Sequence, residues 1–237
     1  KRYMNLSVII PAYNEVDCIA DTIIDLHEKL EREEILFEIV VVNDNSDDGS
    51  GELLDNLSKS NPNIRTIDNI PPNGFGFAVR RGLEAIKGEY IVIMMADASD
   101  DPDDVVRFFH LAEQEGVDAV FGNRFIKGGS CVNYPFVKLC LNRFTNWMIA
   151  MLFAIRYTDT TNAFKLYRQD ALDGLKPYLS HHFNLTVELP LKLIVRGYSY
   201  RVLPNSWTNR KSGVSKLKIK EMGSRYWFII FYCLIES

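Results

Sequence analysis

Long uninterrupted apolar runs are missing from this sequence. None of its 237 residues fall in a run of the about 18 apolar positions that a membrane-crossing helix needs. Cysteine is scarce as well. Cys18, Cys131, Cys140 and Cys233 lie far apart and form no CxxC pair. That excludes a zinc-ribbon spacing and a disulfide framework, and it points to reduced thiols in a cytoplasmic setting. The four histidines make no ligand cluster; His181 and His182 sit in a loop before a helix. Charge of one sign is also in short supply. A net charge of −4 gives no basic field, so no nucleic-acid partner is expected. No internal repeat, low-complexity linker or leader-like run interrupts the chain. A single domain over 1–237, with no signal peptide, is the expectation.

What is present is apolar and alternating. The apolar share, 47%, suffices for a sizeable core. In the first half, β-branched runs alternate with segments of helical period. Strands are expected at Leu6–Ala12, Phe37–Asp44, Asn63–Asn69, Gly88–Asp97 and Val117–Arg124. Helices fall between them, one marked by Ile19, Ile23, Leu26 and Leu30, another opening on Pro102. This order predicts right-handed βαβ units and a mostly parallel sheet with helices on both faces. The second half breaks the pattern. A long helix over Tyr134–Ile155, an edge strand over Asn162–Arg168, a helix over Leu185–Arg196, a strand over Tyr198–Trp207, a basic loop and a last helix are expected. Trp147–Ile155 and Tyr226–Ile235 are unusually apolar, and a further segment beyond residue 237 is expected.

In open α/β sheets, ligands bind beyond the carboxyl ends of the strands. The polar clusters lie there: PAYNE after the first strand, NDNSDDGS after the second, NGFG after the third, ADASDD after the fourth and GNR after the fifth. In PAYNE, Tyr13 suits stacking on a base and Glu15 suits accepting hydrogen bonds; a turn with Asn14 as helix cap is the plainer alternative. Asp44 stands where a strand ends, while Asp47, Asp48 and Ser50 read as caps of the next helix. Gly74 and Gly76 lack the spacing of a dinucleotide or phosphate-loop motif. Asp97 is the first carboxylate after the fourth strand. With Ser99 or Asp100 beside it and a diphosphate completing the shell, it suits a hard divalent cation. Asp101, Asp103 and Asp104 surround a proline that suits the first helical position, so they read as the acidic front of a helix.

SVIIPAYNE, VVVNDNSDDGS, GNRFIKGG, DTTNAFKLYR and RKSGVSK occur in an order and spacing that resembles glycosyltransferase family 2, and within it the polyprenyl-phosphate glycosyltransferases of the dolichyl-phosphate mannose or glucose synthase type. The resemblance covers nearly the whole chain. It implies a GT-A fold, a Rossmann-like sheet that binds a UDP- or GDP-sugar and Mg²⁺ or Mn²⁺. It further implies inverting transfer of a hexose to a polyprenyl phosphate at the cytoplasmic face of a membrane. Residues 1–124 would form the nucleotide-sugar half and 125–237 the acceptor and membrane-interface half, with amphipathic interfacial helices. Carried over by position, Pro11, Tyr13, Glu15 and Asp44 would hold the nucleoside. Asp97 and Ser99 would hold the metal. Asp97, Arg124 and Asp159 would be catalytic. Lys138, Asn142 and Arg124 would meet the acceptor phosphate, and Arg210, Ser215 and Lys216 the donor diphosphate. Asp159 would orient the acceptor or take its proton, or else cap its own turn.

The chain departs from that pattern at several places. Met95 stands where the family usually has the first aspartate of Asp-Ala-Asp. Ala163 and Lys165 replace a glycine and an arginine, and Lys138 and Asn142 replace an arginine and a serine. Two other readings stand beside this one. One is a family 2 transferase with a hydroxyl acceptor; the other, suggested by the missing first aspartate, is a non-catalytic nucleotide-sugar-binding module. Oligomeric state is left open.

Overall fold

The computed structural model describes residues 4–209 and 219–236, the side chains of the second range from residue 223 onward. Strands β1 (Leu6–Ala12), β2 (Phe37–Asn43), β3 (Ile64–Asp68), β4 (Tyr90–Ile93) and β5 (Ala119–Asn123) alternate with helices α1 (Ile19–Arg32), α2 (Ser50–Ser60), α3 (Phe75–Leu83) and α4 (Pro102–Glu115). After β6 (Ser130–Val132) come α5 (Phe136–Leu152), β7 (Lys165–Arg168), α6 (Gln169–Gly174), α7 (Leu185–Val195), β8 (Tyr200–Pro204), β9 (Ser206–Thr208) and α8 (Ile219–Glu236). The seven-stranded sheet runs β3-β2-β1-β4-β7-β5-β8. All its pairings are parallel except those of β7 with β4 and β5. The expected α/β class with a mostly parallel sheet is therefore what the chain adopts.

The strands are apolar on both faces because both faces are covered. Along β1, Leu6, Val8 and Ile10 join the core under α1 and α4, whereas Ile9 joins the core under α3 and α7. A third, smaller core unites Ile149 of α5, Val187 and Leu191 of α7, and Ile229, Ile230 and Cys233 of α8. The apolar side chains left over from this third core matter later.

Three expectations need correcting. The segment Asn162–Arg168 is no edge strand: β7 is interior, between β4 and β5, its first three residues buried. The run Tyr198–Trp207 is broken at Asn205 into β8 and β9, and β9 leaves the main sheet to pair with β6, a strand too short to show a period. The fourth strand ends at Ile93, four residues before Asp97.

The antiparallel insertion positions the site. The carboxyl ends of β1, β2, β4 and β5 share one edge. Because β7 runs the other way, the turn leading into it, Thr158–Asn162, reaches the same edge. So does β9, which follows the carboxyl end of β8.

Candidate functional site

On the side of β1 to β3 the edge loops are tied to one another. Asn14, in the left-handed region at φ 52°, donates from Nδ2 to Asp47 Oδ1 at 2.6 Å and accepts from Asp47 N–H at 2.9 Å. It therefore does not cap α1, whose cap position is Cys18. Asp48 does serve the start of α2, accepting from Ser50 N–H and Oγ, but it also accepts from Val16 N–H. Pro11 lies buried within β1, Tyr13 is 39% exposed, and Glu15 is nearly buried beside Cys18. Asp44 is buried with both oxygens engaged, one by Asn69 Nδ2 at 2.6 Å and the other by Gly74 N–H at 2.8 Å. Burial pushes its carboxyl above the ordinary range, and these two hydrogen bonds oppose the rise. Asn69 is a partner that sequence reasoning passed over, although it too stands at a strand end. A side chain at Gly76 would meet the backbone of His181 at 2.5 Å, so close packing of α3 against the His181 loop requires the glycine there.

The acidic stretch divides as expected in part. Asp101 caps α4 through Asp103 N–H, with Pro102 at the first helical position. Asp103 pairs with Lys29 at 2.9 Å. Asp104 corrects the expectation of a simple helix-front residue: it is buried, pairs with Arg107 at 2.5 Å and accepts from Ser206 N–H at 2.7 Å. Asp97 is nearly buried and accepts from Ser99 N–H at 3.2 Å. Ser99 Oγ is buried and has no hydrogen-bond partner among the described residues. Asp100 reaches back to Met95 N–H at 2.9 Å, which brings a carboxylate to the backbone where the aspartate is missing. Burial, with the neighbouring charge of Asp97 adding to it, raises the Asp100 carboxyl to about 7.

At the centre, Arg124 and Asp159 form a buried fork. Arg124 donates from Nε and Nη2 to the two oxygens of Asp159, both at 2.8 Å, and from its backbone N–H at 3.0 Å. Asp159 is fully buried and Arg124 nearly so. Burial opposes the guanidinium charge, but Asp159 outweighs it and holds the pKa above the ordinary value. The Asp159 carboxylate thus neither caps its turn nor faces open solvent. The rings of Tyr134 and Trp207 flank the guanidinium at 5.7 and 5.9 Å. Neither aromatic carried a sequence signal, because β9 reaches this point only through the fold.

On α5, Asn142 donates to Thr161 Oγ1 at 2.7 Å, and Asn146 binds both Asn142 and Thr161. Lys138 stands one turn before Asn142. The helix is thereby fastened to the turn that carries Asp159. Lys165 is buried beneath that turn, donating to the carbonyls of Thr160 and Thr186 at 3.0 and 3.2 Å and to that of Asn162. Burial lowers it to about 7. Arg210, Ser215 and Lys216 lie outside the described residues. The strand leading toward them crosses the Asp97 loop, with Thr208 N–H donating to Ser99 O at 3.0 Å.

Three comparisons bear on this arrangement. The sequence model of glycosyl transferase family 2 matches residues 7–175. The polyprenol monophosphomannose synthase of Mycolicibacterium smegmatis is 30% identical over 216 residues, covering 89% of this chain and 80% of that one. The dolichol-phosphate mannosyltransferase of Pyrococcus furiosus is 28% identical over 223 residues, covering 92% of this chain and 60% of that one. Among solved structures, glucosyl-3-phosphoglycerate synthase from Mycobacterium tuberculosis, crystallised with Mn²⁺, UDP and phosphoglyceric acid, superposes with a TM-score of 0.72 over 98% of this chain and 78% of that one. At 18% identity this last likeness speaks for the GT-A fold alone.

Proposed function

The chain belongs to glycosyltransferase family 2, and from that premise we propose that it moves a hexose from a UDP- or GDP-sugar to a polyprenyl phosphate at the cytoplasmic face of a membrane. The whole chain acts as one catalytic unit in this reading, with residues 1–124 on the nucleotide-sugar side and 125–237 on the acceptor side. One observation carries it beyond the family. The helix that ties Asn142 to the Asp159 turn through Thr161 also displays Val137, Leu141, Phe144, Trp147 and Met151 to solvent. A single element thus joins the polar turn to an apolar face, as a lipid phosphate requires. No described helix is long and apolar enough to cross a membrane, so the reading invokes helices lying in the interface plane.

The residues near Asp97 fit a divalent cation. The Ser99 hydroxyl is buried and without a hydrogen-bond partner among the described residues, and the donors are hard oxygens. Among the described residues no group of three or more His, Cys, Asp or Glu converges. Asp97, Ser99 and Asp100 would therefore hold Mg²⁺ or Mn²⁺ together with the donor diphosphate. When bound, the cation supplies charge stabilisation of the leaving diphosphate. The protein's own part is positioning. Tyr13, Glu15 and Asp44 border the nucleoside side. Lys138, Asn142 and Arg124 draw the acceptor phosphate toward the anomeric carbon. That phosphate is already anionic near neutral pH, so no strong base is needed. Asp159 acts by fixing the Arg124 plane rather than by taking a proton.

The test supplies UDP- and GDP-hexoses with Mg²⁺ or Mn²⁺ and polyprenyl phosphate, and measures sugar-lipid phosphate by mass spectrometry. Formation of that product is expected. Transfer to a hydroxyl acceptor alone, or nucleotide binding without any turnover, would replace this reading with one of its rivals.

A further inference from the structure

A cavity of about 440 Å³ lies between the His181 loop and the start of the described side chains of α8. It shares no residue with the Asp97–Arg124 edge. His181, His182, Asn184, Ser224 and Arg225 line it, with Leu179 and Phe228 as its apolar members. No carboxylate among the described residues lines it. Among the described residues, one permanent cation, two imidazoles, an amide and a hydroxyl line a space large enough for a phosphate and the carbons next to it.

The wall is built before any ligand arrives. Glu188, pinned by Lys192 at 2.6 Å, accepts from Leu179 N–H at 2.7 Å and Ser180 N–H at 2.6 Å. Phe77 N–H donates to His181 O, and the His181 ring stacks on Phe77 with centroids 4.5 Å apart. Phe183 stacks on Phe75 at 4.5 Å. Asn184 is buried and accepts from His182 N–H at 3.3 Å, which leaves its NH₂ end as a donor. Preorganised donors bind an anion with little ordering cost. On the opposite wall, Arg225 starts a helix surface on which Trp227, Phe228, Phe231 and Ile235 are exposed. The cavity thus opens beside an apolar stripe.

We propose that this cavity binds the phosphate headgroup of a lipid whose apolar part lies along α8. The stated occupant is an anionic phosphate ester with a tail, and either a bulk anionic phospholipid or the polyprenyl phosphate on its way to the edge site supplies that chemistry. The inference rests on the membrane reading above for its direction of approach, but binding itself is measurable without a membrane and without turnover. The loop that forms the wall also packs against Gly74, whose N–H holds Asp44, so an occupied cavity abuts the nucleoside side of the molecule.

The first arm titrates dihexanoyl phosphatidic acid, below its micellar concentration, into the full chain by calorimetry. Saturable binding is expected, weakened about tenfold in Arg225→Gln, the size of one lost charge-assisted hydrogen bond, and abolished in Ser224→Glu. Both positions are on the helix surface, and circular dichroism verifies the fold of each variant. Absent binding, binding unchanged in both variants, or inorganic phosphate binding as tightly as the lipid would overturn the proposal. The second arm identifies the source. A raised KM for polyprenyl phosphate in neutral vesicles, with kcat unchanged, marks the acceptor as the occupant. Weakened partitioning of Arg225→Gln onto phosphatidic acid vesicles, with KM unchanged, marks the bulk lipid. Loss of neither, despite calorimetric binding, would overturn the lipid-surface role.

Discussion

The sheet edge and the α5–α8 surface hold their side chains in opposite ways. At the edge, polar groups are engaged with one another: Asp44 with Asn69 and Gly74, Asn14 with Asp47, Arg124 with Asp159. On α5 and α8, large apolar groups lie open: Phe136 is 76% exposed, Phe144 61%, Trp147 57% and Ile235 88%. Scattered exposed apolar residues are ordinary, but a row of them along one helix face marks an interaction surface. The difference shows where rigidity and where accessibility are needed. Under the proposed function, a nucleotide and a cation require donors fixed in advance, whereas a lipid requires a face already stripped of polar groups.

The strongest way to break the comparison is at Asp97. Replacing it with alanine removes the carboxylate proposed for the cation. We expect a loss of turnover of about a thousandfold or more, of the size seen when a charge-stabilising group is removed, with a melting temperature close to wild type. Steady-state kinetics and differential scanning fluorimetry measure the two. Unchanged turnover removes Asp97 from the site.

Asp159→Asn should act the other way, on stability before chemistry. It strips the charge from a fully buried carboxylate and leaves Arg124 buried without a counter-ion. Breaking such a pair typically costs about 3–5 kcal/mol, and denaturant unfolding reads it directly. A variant of wild-type stability but without activity would show that Asp159 is itself a proton acceptor, and the edge would be less self-contained than described.

The apolar surface is sharpened by the double change Phe144→Ser and Trp147→Ser. Both side chains are exposed on α5, so folding stability should shift by less than about 0.5 kcal/mol. Partitioning onto neutral vesicles should fall about tenfold or more, since each buried aromatic contributes on the order of 1.5–3 kcal/mol. Vesicle sedimentation gives the number. Equal partitioning would mean that these helices meet something other than a bilayer.

Much of the edge was legible because strand ends follow from continuous β-branched runs closed by Gly, Asp and Asn. The place of Asp44 just past a strand end and that of Pro102 at the first helical position needed only local spacing. The departures came from distance along the chain. That β7 lies inside the sheet depends on strands β4 and β5 leaving a gap for it, which no seven-residue window shows. Trp207 reaches Arg124 because Asn205 breaks a strand and β9 changes sheets. Asp104 looked like a helix-front residue, and only the neighbouring β9 backbone turns it into a buried partner. Lys165 read as a substitution within a motif, and its burial beneath the Asp159 turn follows from the antiparallel register alone.

A last test asks how far the edge is stable without an added cation. Asp100 is buried, and its carboxyl is raised to about 7, by burial first and then by the charge of Asp97. Its unfolded value is the ordinary one, about 3.9. Between these values the folded chain holds more protons than the unfolded chain, so stability falls as pH rises, and the loss is complete above about pH 7. The span is on the order of 4 kcal/mol for the residue alone. Asp100→Asn keeps an acceptor for Met95 N–H and removes the titration. In chelator, the difference in unfolding free energy between wild type and Asp100→Asn should therefore move in favour of the variant from pH 4 to pH 7.5. Groups common to both proteins, Lys165 among them, cancel in that difference. Adding Mg²⁺ or Mn²⁺ should recover the wild type more at pH 7.5 than at pH 5, because only the ionised carboxylate attracts a cation. A flat difference across the range would show that Asp100 is already ionised and compensated within the protein, and the edge would then need no added charge to be stable.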